Sequence, residues 1–152
     1  MACTKVLARD WVIEIYDDGA EAGEEWTSIA GINTFTLSSD KESTETTTFD
    51  SEGFGEHLAS ERNYTLSFDG YYDEDDTGDR DAGQELVETL GEAVGCDAYA
   101  YIHLKSPNGG KEKYFEGTIN LSDIGGGTND STTWGFELEV NGKPSDTEIP
   151  TE

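Results

Sequence analysis

Apolar and polar residues alternate with a period of two through most of this chain, and that alternation predicts a mainly β protein. Residues 5–17 read as a first strand, with Trp11, Ile13 and Ile15 on one face and Val12, Glu14 and Tyr16 on the other. A polar, glycine-containing loop follows, and then a short strand over 26–29 and another over 32–38, where Phe35 and Leu37 alternate with Thr34 and Thr36. The cleanest alternation is 63–72: Tyr64, Leu66 and Phe68 oppose Thr65, Ser67 and Asp69. Three more strands are predicted over 97–105, 111–121 and 131–141, separated by Pro107-Asn108-Gly109-Gly110 and Gly125-Gly126-Gly127. The period changes once, over 82–94, where Leu86, Leu90 and Val94 recur at helical spacing. Asp81 followed by Gln84 resembles a capping box, Gly95 is a natural stop, and Gly91 weakens the helix. Six or seven strands and one helix predict a β-sandwich or partly open barrel with the helix on one side.

The alternation stops between Ser39 and Glu61. This stretch is rich in Ser, Thr, Glu and Gly, and its few apolar residues are Phe49, Phe54, Leu58 and Ala59. An irregular connection of this length is unusual inside a compact domain. Its Thr-rich part, Thr44-Glu45-Thr46-Thr47-Thr48-Phe49, suits a β-arm, which on its own is only marginally stable and needs a surface to dock on. From Gly142 the chain turns polar and acidic. The expected organisation is one domain over residues 1–142, with an arm at about 39–61, and a flexible acidic tail over 143–152.

Composition sharpens this picture. Only 28 of 152 residues are Leu, Ile, Val or Phe, and the net charge is −25, a combination otherwise typical of disordered chains. Aromatic residues at 11% and regular alternation argue for a fold. A thin core implies further burial between subunits. Thirty-four acids against nine bases exclude a nucleic-acid-binding or anionic-membrane surface. The same surplus suits either solubility or a salt-rich environment such as that of a halophile. No apolar run has the length of a membrane span, and the N-terminus lacks a signal-peptide core, so synthesis in the cytoplasm is expected. Cys3 and Cys96 are expected to be free thiols.

Catalytic chemistry finds little footing. His103 falls on a Tyr-rich strand face and reads as a packing residue, His57 lies in the long connection, and no nucleophile elbow is present. One loop has metal-like character: counted from Asp73, the glycine of a calcium loop is in place, and Asp73, Asp75, Asp79 and Asp81 are its candidate ligands. Gln84 stands where a bidentate Glu is expected, and Asp81 has a competing role as helix cap. No cofactor is otherwise implied. The alternative function is accordingly a calcium-dependent β-sandwich that binds a carbohydrate or other ligand on the aromatic face of Tyr99 and Tyr101.

The order of these segments carries a resemblance. Ser28-Ile29-Ala30-Gly31-Ile32 leads into a strand and a Ser/Thr/Glu-rich arm, followed by Thr48-Phe49-Asp50-Ser51-Glu52-Gly53-Phe54-Gly55-Glu56-His57-Leu58 and Asn63-Tyr64-Thr65-Leu66-Ser67-Phe68-Asp69-Gly70-Tyr71-Tyr72. With the loop, helix and three strands behind it, this resembles the major tail tube protein of long, non-contractile-tailed viruses over most of residues 5–141. The resemblance implies a tail-tube fold whose sheets join between subunits, hexameric rings stacked into a tube in the virion tail, and no enzymatic activity. It implies as partners the tape-measure protein, the tail terminator and the baseplate or tip proteins, with viral DNA passing through unbound. By the same analogy Thr44, Glu45, Thr46, Thr47, Thr48, Phe49, Phe54 and Leu58 form an inter-ring arm. The polar strand positions Thr34, Thr36, Thr65, Ser67, Asp69, Glu137 and Glu139 are the candidates for the tube's inner wall, where carboxylates without exposed cations would keep a passing duplex from sticking.

Overall fold

The computed structural model describes residues 5–20, 23 and 25–149. Seven strands and one α-helix are present among them: β1 (Val12–Tyr16), β2 (Trp26–Ser28), β3 (Ile32–Glu45), β4 (His57–Tyr71), α1 (Ala82–Glu92), β5 (Tyr99–Lys105), β6 (Glu112–Leu121) and β7 (Thr133–Val140). All neighbours pair antiparallel in one sheet of order β2-β1-β5-β6-β7-β4-β3.

Two short facts force this sheet to curl. Laid flat, seven strands about 4.8 Å apart would put the outer strands about 29 Å from each other. The outer strands β2 and β3 are nevertheless consecutive in the chain, joined by residues 29–31, which at full stretch span about 14 Å. The sheet therefore curls until the end of β2 and the start of β3 lie close, without pairing with each other. The Ile29 amide donates to Ile13 O (3.3 Å) and continues the β1–β2 ladder, the Tyr71 amide donates to Gly31 O (2.9 Å) and continues the β3–β4 ladder, and across the gap the Trp11 ring packs on Phe35 with centroids 5.3 Å apart. The result is the partly open barrel form of the expected mainly β fold, built from one sheet.

The face rolled inward is the apolar one. Register lines up Phe35, Phe68 and Phe136 in one row and Leu37, Leu66, Leu138 and Ile119 in the next, while Ile13 and Ile15 oppose Leu104 and Ile102. Phe68 and Phe136 stack at 4.7 Å, Trp134 meets Phe136 edge-on, and Leu66, Phe68, Ile102, Phe115, Phe136 and Leu138 are all buried. Close strand packing needs Gly117 on β6: a Cβ there would sit 2.1 Å from Glu139 O of β7. Gly117→Ala is expected to lower stability by about 1–3 kcal/mol, the usual cost of overfilling a packed site, measured by urea unfolding at constant m-value.

The start of the first strand, the end of the helix and its cap differ from what the sequence predicts. The first strand starts only at Val12, where its partner Lys105 ends β5; residues 8–10 form a short 3-10 helix, and residues 5–10 are exposed. The helix stops at Glu92, before Gly95, and Gly91 has a packing role, since a Cβ there would collide with the Leu121 side chain at 2.7 Å. Asp81 caps α1 by accepting from the Gln84 amide (3.1 Å), but the Gln84 side chain turns to other partners, so only half of the capping box forms.

Candidate functional site

The largest feature outside the barrel is a ribbon. β7 covers β4 only from Thr65 to Tyr71, yet β3 and β4 stay paired beyond it, from Ser39 opposite Tyr64 to Glu45 opposite His57. The span expected to be irregular is thus mostly a two-stranded arm, with a bulge where Glu42 faces Glu61 and like charges oppose each other. Thr44 and Glu45 end β3, Leu58 faces Thr44 from β4, and Thr46, Thr47, Thr48, Phe49 and Phe54 form the tip. Local bonds shape that tip. The Thr46 amide donates to Glu56 O, the Glu56 amide to Thr47 Oγ1, and the Thr48 amide to Ser51 Oγ, which caps a 3-10 turn over Phe49–Ser51. Glu52 then takes a left-handed conformation at φ 52°. This scaffold holds Phe49 fully outside and leaves Phe54 74% and Leu58 65% exposed. Three large apolar side chains thus stand in solvent along one ribbon, outside the core.

The second feature is a polar face. Thr34 pairs with Asp69, which pairs with Gly135; Thr36, Ser67, Glu137 and Asn120 form the next row; Ser38, Thr65, Glu139, Thr118 and Tyr99 form a third. All seven wall candidates, Thr34, Thr36, Thr65, Ser67, Asp69, Glu137 and Glu139, therefore share the sheet face opposite the core. Thr118 and Asn120 extend it onto β6, a continuation that the alternation of β6 already contained. None of the three rows holds a Lys or Arg.

On β1, β2, β5 and β6 the same face becomes aromatic. His103 stacks on Tyr114 at 4.3 Å with rings 5° from parallel, Trp26 leans on both, and Tyr16 meets Tyr101 edge-on. His103 Nε2 lies 2.9 Å from Glu112 Oε1 and Nδ1 3.6 Å from Glu14 Oε1, so the ring is a packed and charge-bounded residue, as its place in the sequence suggested. Burial, and then the Glu112 carboxylate, push the Tyr114 hydroxyl up from its usual range. Residues 143–149 of the acidic tail lie against this region: Ser145 and Tyr114 exchange backbone hydrogen bonds, Lys113 pairs with Asp146, and Trp26 Nε1 donates to Glu148 Oε1 (2.9 Å).

The acidic loop serves the helix. Asp81 Oδ2 accepts from the amides of Gln84 and Ala30, and Asp75 Oδ1 accepts from the Thr77 amide, the Thr77 hydroxyl and the Asp79 amide. These bonds, the Thr77 hydroxyl first, hold Asp75 below the ordinary aspartate value. Asp73, Asp75, Asp79 and Asp81 are not brought together as a ligand set, and among the described residues no three His, Cys, Asp or Glu side chains converge on a metal position. Cys96 is exposed; Cys3 lies outside the described residues.

Behind the loop, Arg80 Nη1 donates to Glu88 Oε2 (2.6 Å) and Trp134 Nε1 to Glu88 Oε1 (3.0 Å). Burial raises the Glu88 pKa, but these two bonds outweigh it and hold the carboxyl below its ordinary value. A depressed folded-state pKa contributes stability that is present above the unfolded value, about 4.3, and lost as pH falls through the folded one. Acid unfolding should accordingly steepen below about pH 4.3, and Glu88→Gln should flatten that limb while lowering stability at neutral pH; thermal melts from pH 3 to 7 read both effects.

Comparison with known proteins agrees with this architecture. Residues 6–146 match the sequence model of the phage tail tube protein family. Among solved structures, the tail of an empty gene transfer agent particle, refined with C6 helical symmetry, superposes with a TM-score of 0.64 at 18% identity, over 95% of this chain and 100% of that one. The virion of a native gene transfer agent gives 0.63 at 19%, with coverage of 95% and 100%, and the SPP1 tail tube gives 0.58 at 15%, with 91% and 77%. These three share the fold. No curated protein sequence matches the chain. With 141 consecutive residues matched and the arm, curled sheet and single helix in place, the chain belongs to the phage tail tube protein family and is a structural protein of the virion tail.

Proposed function

We propose that copies of this chain close into hexameric rings, that the rings stack into a tube, and that the arm of each copy reaches into the adjacent ring. One observation supports this above all: a ribbon with three exposed apolar side chains projects from a barrel whose own core does not use them. Open borders add to it. β3 is an outer strand for all of its fourteen residues, and its free backbone groups on that side need a partner. Closure around a rotation axis satisfies such borders with identical neighbours.

In this reading the polar rows of β3, β4, β7 and β6 line the lumen, which encloses the tape-measure protein during assembly and conducts DNA afterwards. The terminator and tip proteins bound the tube. Three rows of Thr, Ser, Asn, Asp and Glu without a cation give phosphates nothing to hold. Among the described residues the calcium-dependent alternative has no converging ligand set, and Tyr101 is engaged by Tyr16. Electron microscopy of the purified protein tests the assembly: rings or tubes are expected, and a monodisperse monomer at high concentration in every buffer would overturn it. The wall is tested by Thr65→Lys with Ser67→Lys. Tubes of this variant should retain fluorescent duplex DNA in a salt-dependent way where wild-type tubes retain none; equal retention would place these rows away from the lumen.

A further inference from the structure

The chain has nine Lys and Arg residues against 34 Asp and Glu, yet four of the nine surround one cavity. Arg62, Lys111, Lys113 and Lys143 line a space of about 300 Å³ at the base of the arm, with Leu37, Tyr64 and Phe115 as its apolar wall. Lys113 is paired with Asp146, but Arg62, Lys111 and Lys143 have no carboxylate within 4.0 Å among the described residues. Asp146 also lies in the field of Lys143, so one carboxylate serves two of these cations; four cations gathered with so little counter-charge repel one another and attract an anion that reaches them. A half-apolar, half-cationic cavity selects an occupant with both characters.

The arm tip has that composition. Phe49 and Phe54 stand exposed beside Asp50, Glu52 and Glu56, and no Lys or Arg occurs between residues 42 and 61. Its own cavity is out of reach. The paired ribbon from Tyr64, which lines the cavity, to His57 is about 23 Å long, and the tip would have to break it to fold back. The acidic loop over 73–81 carries charge as well, but no apolar side chain to meet Leu37, Tyr64 and Phe115. We propose that the cavity bounded by Arg62, Lys111 and Lys143 is the receptor for the arm tip of a second copy, Phe49 and Phe54 entering against the apolar wall and Asp50, Glu52 and Glu56 pairing with the cations. This rests on the arm being an assembly element and names what the arm binds.

Charge exchange in the full-length protein tests it, with sedimentation and electron microscopy as readouts. Arg62→Glu, Lys111→Glu and Lys143→Glu together should abolish sedimentable tubes while leaving a folded protein by circular dichroism. Asp50→Lys, Glu52→Lys and Glu56→Lys together should do the same. Both sets in one chain should restore tubes at least tenfold over either alone, because each tip again meets an opposite charge. Wild-type assembly by the cavity variant, or a combined chain that stays unassembled, overturns the pairing. The outcome is separable from that of the arm itself: if deleting the tip abolishes tubes while reversing the cavity does not, the arm stands and this receptor falls. If the cavity reversal is rescued by Glu74→Lys with Asp76→Lys instead, the acidic loop is the occupant and the proposal is wrong.

Discussion

A chain in which residues 46–56 are replaced by a two-residue Asn-Gly turn joining Glu45 to His57 is expected to fold normally and to form no tubes. The reasons are structural. Every residue from Ser38 to Asn63 except Ser51 is exposed, and none belongs to the barrel core. Removing the tip deletes no buried apolar area from the monomer, so its unfolding free energy should move by less than about 1 kcal/mol, as for other surface changes. The turn replaces a local hydrogen-bonded tip with one suited to a two-residue hairpin, and the ribbon register is kept. Assembly loses Phe49 and Phe54, whose burial against a neighbour contributes about 1.5–3 kcal/mol each at every contact. Repeated along a polymer, that loss suffices to abolish it. Calorimetry against wild type, with sedimentation at matched concentration, reads both halves. Normal tubes from the shortened chain would remove the arm from assembly.

The second large effect is expected inside the monomer. Gln84→Leu should cost about 3–5 kcal/mol although it conserves volume and adds apolar character. Gln84 is fully buried, and its amide binds four groups: it donates to Ala30 O (2.9 Å) and Tyr71 O (2.8 Å) and accepts from the Asp73 amide (3.1 Å) and Arg80 Nη2 (3.0 Å). Leucine removes all four bonds; Arg80 keeps Glu88, but each buried backbone group left alone costs about 1–3 kcal/mol before relaxation or water entry. The position also explains why a polar residue is there at all. Ala30 lies in the link between the outer strands β2 and β3, and Tyr71 ends β4, so one side chain ties that link and the neighbouring strand to the helix. A melting temperature lower by about 10–15 °C is expected for a chain of this size. A change under 2 °C would show that water or neighbours satisfy these groups without the amide.

Much of the fold was legible because alternation is local. Leu66 and Phe68, or Trp134, Phe136 and Leu138, declare their face through the period of the strand, and each is buried. The helix over 82–92 was visible from its changed period and from Asp81. That Thr34, Thr36, Thr65, Ser67, Asp69, Glu137 and Glu139 share one polar face was legible for the same reason: residues two apart in a strand share a face, whatever the sheet later does. The acidic loop shows the limit of spacing. Four aspartates at calcium-like intervals looked like ligands, but Asp81 goes to a helix N-terminus and the Ala30 amide, and Asp75 to its own turn. Backbone donors, from the same loop and helix and from the distant Ala30, take these carboxylates.

The sequence by itself determined where the barrel portion of most strands lies, which face of each is apolar, and that a Thr-rich segment without a core of its own must look outward. Strand order, the curl of one sheet, the ribbon's length, and the meeting of Arg62, Lys111 and Lys143 were decided only in three dimensions. The physical reason is range: strand period and turn chemistry act over a few residues, whereas the order of strands and the company a charge keeps depend on which distant segments share the least costly way to bury one thin apolar face.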